Sequence, residues 1–524
     1  MTGKKGRRMR QEKKRVFSWL MMLAMVFSFI LPGNQFNVQA EDILTVNADG
    51  YYELGSADDM LAFAQKVNAG EKELNAVLTN DIDMAGKTWT PITEYAGTFD
   101  GQNHKIMNLT FDSTDQNQGI FGTNIGTIEN IADITGTYTE NHANIGGLTA
   151  INKGKVVNCH SSVKIICNKN GGYVGGVVGY NITDTALVEK CSFEGTITIP
   201  ADSTVSSAYI GGVVGRQRTG KPYIIGCVNR GTIMNENSKW MYIGGIAGYA
   251  DEGNIWFSYN EGTLQAASTE TYISGIACSA KPYNCYSVGT LKGGKCYPIA
   301  PLFGTNNYYL SDAEEQGART DEEFKKNSMV NALNALTTSM KGFVPADCMF
   351  EQSNGYPALV WEGKGIEVTP VAVKGATISG DALSGVTLAA AITGENDKEP
   401  SSVSYQWQVS SEEGYEDIAD AVYPTFALPD TEAYVGKQLR VVVTGGNDSK
   451  VISEPTSVIG KSDKLRVTED KAELQSFASP ILKNSQLTLP DHGSNGSTIT
   501  WESNKPEVIS SEGNVILPAA DKVS

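Results

Sequence analysis

The chain has 524 residues, with 42 basic and 59 acidic side chains and a net charge of −17. That acidic excess disfavours nucleic acid and anionic membranes as partners. The length implies more than one domain, and 55 glycines with few helical stretches point to a repetitive β architecture.

Residues 1–40 have the pattern of a secretory signal peptide. Lys4, Lys5, Arg7, Arg8, Arg10, Lys13, Lys14 and Arg15 form a basic segment, Val16 to Leu31 is largely apolar, and Pro32-Gly33 breaks the run. Val38-Gln-Ala40 suits a cleavage site, just before Glu41-Asp42. The apolar run is short for a spanning helix of about 20 residues, which favours cleavage over a retained anchor. Cleavage removes eight basic residues and one acidic residue and leaves a net charge of −24. The expected product is secreted or displayed on a bacterial cell surface, with no membrane contact of its own.

The next element is a helix near residues 56–67. Ser56 is its N-cap, and Met60, Phe63, Ala64 and Val67 share one side. It is placed as a cap on the repetitive region that comes after it in the chain.

Five segments then align: Asn144-Ile-Gly-Gly-Leu, Tyr173-Val-Gly-Gly-Val-Val-Gly, Tyr209-Ile-Gly-Gly-Val-Val-Gly, Tyr242-Ile-Gly-Gly-Ile-Ala-Gly and Tyr272-Ile-Ser-Gly-Ile-Ala-Cys. Their starts are 29, 36, 33 and 30 residues apart. Each is followed by a second short element, such as Cys191-Ser-Phe-Glu-Gly-Thr-Ile or Cys227-Val-Asn-Arg-Gly-Thr-Ile, and an earlier unit begins at Gly119. Such brief apolar runs bury little alone, but stacked in register they share one continuous core. Alternation places Ile and Val inward. The Gly-Gly and Gly-Thr pairs are expected at corners that need positive φ. Cys159, Cys191, Cys227 and Cys285 recur at one position, which Tyr259 fills in the remaining unit. A column of small buried thiols is favoured there, with a disulfide ladder as the alternative. No CxxC or Cys/His cluster suggests zinc.

These repeated Gly-Gly-Val-Val-Gly and Gly-Gly-Ile-Ala-Gly segments resemble the GLUG-motif repeats of bacterial surface proteins. The stretch from Leu54-Gly-Ser-Ala to Tyr95-Ala-Gly-Thr-Phe-Asp-Gly is similar to such proteins too, so the resemblance covers about residues 48–361. It implies a right-handed parallel β-helix over residues 41–361, exposed outside the cell, and it brings no catalytic residues. A solenoid needs covered ends. Residues 320–336 offer a second capping helix, with Thr320 as N-cap and Phe324, Met329, Leu333 and Leu336 on one side, and Gly355 to Trp361 reads as a closing strand.

After this β-helix the grammar changes to Ig-like β-sandwich modules, so the fold class is all-β throughout. Residues 370–460 resemble a bacterial Ig-like domain, with Tyr405-Gln-Trp407 and Leu439-Arg-Val-Val-Val-Thr as strands and Trp407 in the core. Residues 462–524 resemble the atrophied Ig-like domain often attached to secreted carbohydrate-active enzymes. One strand is missing before Ser524, which suggests a partial module.

No motif for catalysis stands out. Asp81, Asp83, Asp100 and His104 are the acids and base of interest, but Phe-Asp-Gly-Gln-Asn-His is first a turn signal, and structural roles are favoured. GxSxG, P-loop, HExxH and EF-hand patterns are absent, and no catalytic residue, metal site or cofactor is expected. The candidate binding residues are aromatic. Tyr173, Tyr209, Tyr242 and Tyr272 recur once per unit, facing either inward as core, the favoured reading, or outward as a ladder for a polysaccharide, cell-wall or host-surface ligand. Trp240 and Trp256 fall outside the repeat and are candidates for exposure. The expected function is a non-catalytic surface binding or adhesion protein. Its alternative is the non-catalytic front of a large secreted glycoside hydrolase or peptidase, and a β-helix polysaccharide lyase ranks last.

Overall fold

The structure is a computed structural model that describes residues 44–111, 117–140, 144–169, 172–218, 223–251, 254–367, 370–400, 402–474 and 485–516. The signal-peptide segment, residues 1–40, lies outside the described residues.

One repeat unit makes one coil. In Tyr173–Gly175 the central Val174 points inward, and its register partners Ile145, Ile210, Ile243 and Ile273 fill the same place in neighbouring coils. All five are at most 3% exposed. Burying each stabilises the solenoid by about 1.5–3 kcal/mol. Among the described residues, two sheets of seven parallel strands arise this way, one running from Asn117–Gln118 to Lys295–Tyr297 and the other from Ile92–Tyr95 to Ala277–Cys278. Further parallel strands close the rest of each coil. The sequence expectation of a parallel β-helix is met.

The glycine pairs do a different job from the one expected. Gly175, Gly176, Gly211, Gly212, Gly244 and Gly245 do not have positive φ. They permit close approach instead: a Cβ on Gly175 or Gly211 would lie 1.9 Å from the carbonyl oxygen of Val178 or Val214. Positive φ is concentrated at another corner, on Asn130, Asn158, Lys190, Gly226, Phe257, Asn284 and Asn306, which succeed one another coil by coil. Asparagine tolerates the left-handed region, whereas Lys190 and Phe257 hold it at a cost of about 1–2 kcal/mol each.

Polar columns run inside the coils. Asn124 donates to Asn152 at 2.9 Å, and Asn152 donates to Asn181 at 2.8 Å, with all three fully buried. A second column passes from Asn229 to Asn260, at 2.7 Å, and on to Ser287. The cysteine column holds free, buried thiols at Cys159, Cys191, Cys227 and Cys285, not disulfides. Its missing member is Ser258 rather than Tyr259, because Tyr259 pairs with Val228 and with Tyr286. The Ser258 hydroxyl accepts the Cys227 amide at 3.1 Å. Burial pushes the Cys285 thiol up to about 12, so it is inert near neutrality.

The helix Ala57–Asn68 is capped by Ser56 and packs Met60, Phe63, Ala64 and Val67 on the core. The second helical region splits into Asp321–Phe324 and Asn327–Leu333, and it does not plug the far end. It belongs to a strap, residues 321–362, lying along the solenoid flank. The reason is chemical: Val228, Tyr259, Tyr286 and Tyr308 point outward on successive coils, and Phe324, Leu333, Phe350 and Leu359 of the strap cover them. The expected closing strand is a short hairpin on that flank, Phe350–Glu351 with Ala358–Leu359.

Beyond the strap, two antiparallel sheets form a sandwich. Val373–Ser379, Thr387–Gly394 and Thr425–Ala427 make one, and Ser404–Ser411, Gly414–Asp417, Leu439–Gly445 and Ser449–Ile452 the other. Trp407 is fully buried between them, as expected, and its indole N–H donates to Tyr423 O at 2.9 Å. The helix Asp463–Leu474 and a pair of short strands, Ser485–Gln486 with Asn514–Val515, complete the described chain.

Candidate binding face

The solenoid corner made by the Gly-Gly segments carries the candidate site. Tyr173, Tyr209, Tyr242 and Tyr272 are in register on four successive coils, one residue before the buried Val or Ile. Alternation therefore turns them outward, and all four are partly exposed. This corrects the favoured reading of them as core. Trp240 is 45% exposed and sets its edge on Tyr242 at 5.5 Å, in line with the sequence expectation. Trp256 is corrected: it is 6% exposed and packs between Tyr223 and Phe343 beneath the strap.

The outward tyrosines form a ladder. Ring centroids are 5.6 Å apart from Tyr173 to Tyr209, 5.3 Å from Tyr209 to Tyr242 and 5.2 Å from Tyr242 to Tyr272. Tyr297 extends it at 6.4 Å. Tyr209 and Tyr242 are parallel within 1°. Rings stacked on one another present edges and hydroxyl groups to the outside rather than open faces.

A second column joins at the corner, from the strands Val178–Asn181, Val214–Gln217 and Ala247–Ala250. It reads Tyr180, Arg216, Tyr249 in register. Close glycine packing brings the columns together, so Tyr173 meets Tyr180 at 4.5 Å and Tyr242 meets Tyr249 at 5.0 Å. The Arg216 guanidinium lies 5.3 Å from the ring centroids of both Tyr173 and Tyr209. It donates to the Tyr173 hydroxyl at 2.8 Å and to Asp251 at 2.7 Å. Burial opposes its charge, but the bonds to Asp251 and Tyr173 outweigh that and hold its pKa above the ordinary value. Burial, then the neighbouring ring hydroxyls of Tyr249, Tyr209 and Tyr272, raises the pKa of Tyr242. Tyr242 is therefore a neutral phenol at neutral pH.

The sequence reading missed Tyr180, Arg216, Tyr249 and Asp251. A signal existed, since Val-Gly-Tyr180, Val-Gly-Arg216 and Ala-Gly-Tyr249 share one position after the second strand's glycine.

The acids weighed for catalysis are hydrogen-bonded to neighbouring coil residues. Asp81 accepts the Lys105 amide at 3.0 Å and contacts His104 at 3.2 Å. Asp83 accepts the Asn108 side chain at 2.8 Å, and Asp100 accepts that of Asn130 at 3.1 Å. A separate polar cleft of about 370 Å³ lies at the edge of the strap, where Trp361 stacks on His160 at 5.1 Å and His160 contacts Ser192 at 3.0 Å. Arg230 there pairs with Glu194, Glu261 and the buried Glu362, which fixes the strap to the coils. Among the described residues no cluster of His, Cys, Asp or Glu is arranged to hold a metal ion. No described helix is long and apolar enough to cross a membrane.

Comparison with known proteins gives two matching domain families. The GLUG motif matches residues 170–198, which contain Tyr173 and Tyr180, and the atrophied bacterial Ig domain matches residues 467–523. No curated protein matches the chain. Among solved structures, the chain is similar to a "putative immunoglobulin A1 protease" from Bacteroides ovatus, at 20% identity and a TM-score of 0.43, covering 60% of this chain and 94% of that one. The chain thus carries a GLUG motif within its solenoid, at residues 170–198, and an atrophied bacterial Ig domain at residues 467–523.

Proposed function

We propose that this is a non-catalytic, secreted or surface-displayed binding protein that holds an extended polymer on the tyrosine face of its solenoid. The ligand is a polysaccharide of a cell wall or host surface, and the Ig-like modules are spacers. The observation that carries this reading is the outward ladder itself. Stacked tyrosines with a flanking exposed Trp240 are a costly surface for a protein that binds nothing, since partly exposed aromatic patches mark interaction sites. Their repeat at coil spacing suits a ligand with its own repeat. Pull-down of the full chain on insoluble polysaccharides and on host matrix is the test. Retention is expected, and Tyr209→Ala with Tyr242→Ala abolishes it while the thermal melt stays cooperative. Equal retention of the double variant contradicts the proposal. A second reading, the non-catalytic part of a larger secreted hydrolase, draws on the atrophied Ig domain. The same face would then hold that enzyme's substrate.

A further inference from the structure

The geometry points to an uncharged polysaccharide that lies parallel to the solenoid axis, with one sugar ring per coil. This inference rests on the proposed function and specifies the ligand and its direction.

Direction is set by shape. The face has four rungs in register, Tyr173, Tyr209, Tyr242 and Tyr272, and a fifth ring, Tyr297, stacked on Tyr272 from two residues further along its strand, but it is only two side-chain columns wide. A polymer crossing it would meet one rung, whereas a polymer along it meets all five. The ring centroids are 5.2–5.6 Å apart through Tyr272, on coils whose strands stack about 4.8 Å apart. An extended chain of equatorially linked pyranose rings, with alternate rings turned over, advances by a comparable step per ring, so each sugar meets one rung. Because the rings from Tyr209 through Tyr242 to Tyr272 stack face on face, contact there is made by phenol hydroxyls and ring edges. Each phenol both donates and accepts, which suits sugar hydroxyls.

Charge decides the class. The cation in the centre of the face, Arg216, is neutralised by Asp251 at 2.7 Å. At the far end Lys295 lies over Tyr272 and is paired with Glu270 at 2.7 Å. Arg218 is exposed and near Tyr180 at the margin. The middle of the face thus offers no unpaired charge to a uronate or to an amine, and the chain as a whole is strongly acidic. An uncharged polymer loses least on desolvation there.

Calorimetry of the full chain tests this with cello-oligosaccharide trimers and hexamers and with oligogalacturonate hexamers. The cello-hexamer is expected to bind roughly tenfold or more tighter than the trimer, because added rings meet added rungs. Tyr209→Phe with Tyr242→Phe keeps the stack but removes two hydroxyls, and it is expected to weaken hexamer binding several-fold while leaving the melt unchanged. Equal affinity for trimer and hexamer overturns the axial direction, and tighter binding of the galacturonate overturns the uncharged class. Either result leaves the tyrosine face as the binding surface. Absence of binding to any of the three overturns this inference. If the tyrosine-to-alanine variant also matches the parent in every pull-down, the proposed function falls with it.

Discussion

Gly211 shows what the repeat demands of a single residue. Its φ is not positive, yet a Cβ would lie 1.9 Å from Val214 O and 2.7 Å from Gly248 N, both backbone atoms that cannot move aside alone. Gly211→Ala is therefore expected to destabilise the solenoid by about 1–3 kcal/mol or more, read as a lower denaturation midpoint, and an unchanged midpoint would contradict the close packing. Asn152 sits between Asn124 and Asn181 and also accepts the Gly154 amide. Asn152→Ala strands these buried polar groups at a cost of about 1–3 kcal/mol, measurable by urea unfolding. The repeated Gly and Tyr positions were legible in the sequence because they recur. Their roles were not. Positive φ and close approach both favour glycine, and only register tells them apart. The same holds for Tyr259 and Ser258, where a one-residue shift moves a side chain from outside to inside.

At the scale of elements, the strap is the part that sequence patterning misplaced. Phe324, Met329 and Leu333 do lie on one apolar side, but that side covers the solenoid flank, not its end. Periodicity reports that a face is buried and is silent on what buries it. The strap edge also contains a group that titrates. Burial holds the His160 pKa down to about 4, from an ordinary 6.5, against the opposing influence of Glu194 and Glu362. The unfolded chain takes up this proton at higher pH than the folded one. The contribution is thus fully present above about 6.5 and is lost as the pH falls toward 4. The loss amounts to about 3 kcal/mol at most. Protection factors against hydrogen exchange across residues 321–362, corrected for the intrinsic pH dependence of exchange, are expected to fall over that pH range, and His160→Gln should flatten the response. An identical pH response in the variant would remove His160 from the explanation.

For the whole molecule, the solenoid and the sandwich were both readable from pattern. A period near 30 residues set the first, and alternating strands around Trp407 set the second. The binding face was only half readable. Tyr173, Tyr209, Tyr242 and Tyr272 stood out, but their direction depends on which strand residue enters the core, and the second column on Tyr180, Arg216 and Tyr249 appears only when two sheets meet at a corner. Fold and site are therefore one construction, since the glycines that close the corner also gather the rings. Hydroxyl-radical footprinting of the full chain, with and without a bound neutral polysaccharide, tests this most directly. The account predicts protection of Tyr209, Tyr242, Tyr272 and Trp240, with Tyr259 and Tyr286, already covered by the strap, unchanged. Protection elsewhere on the solenoid, with these four residues still fully reactive, would contradict it.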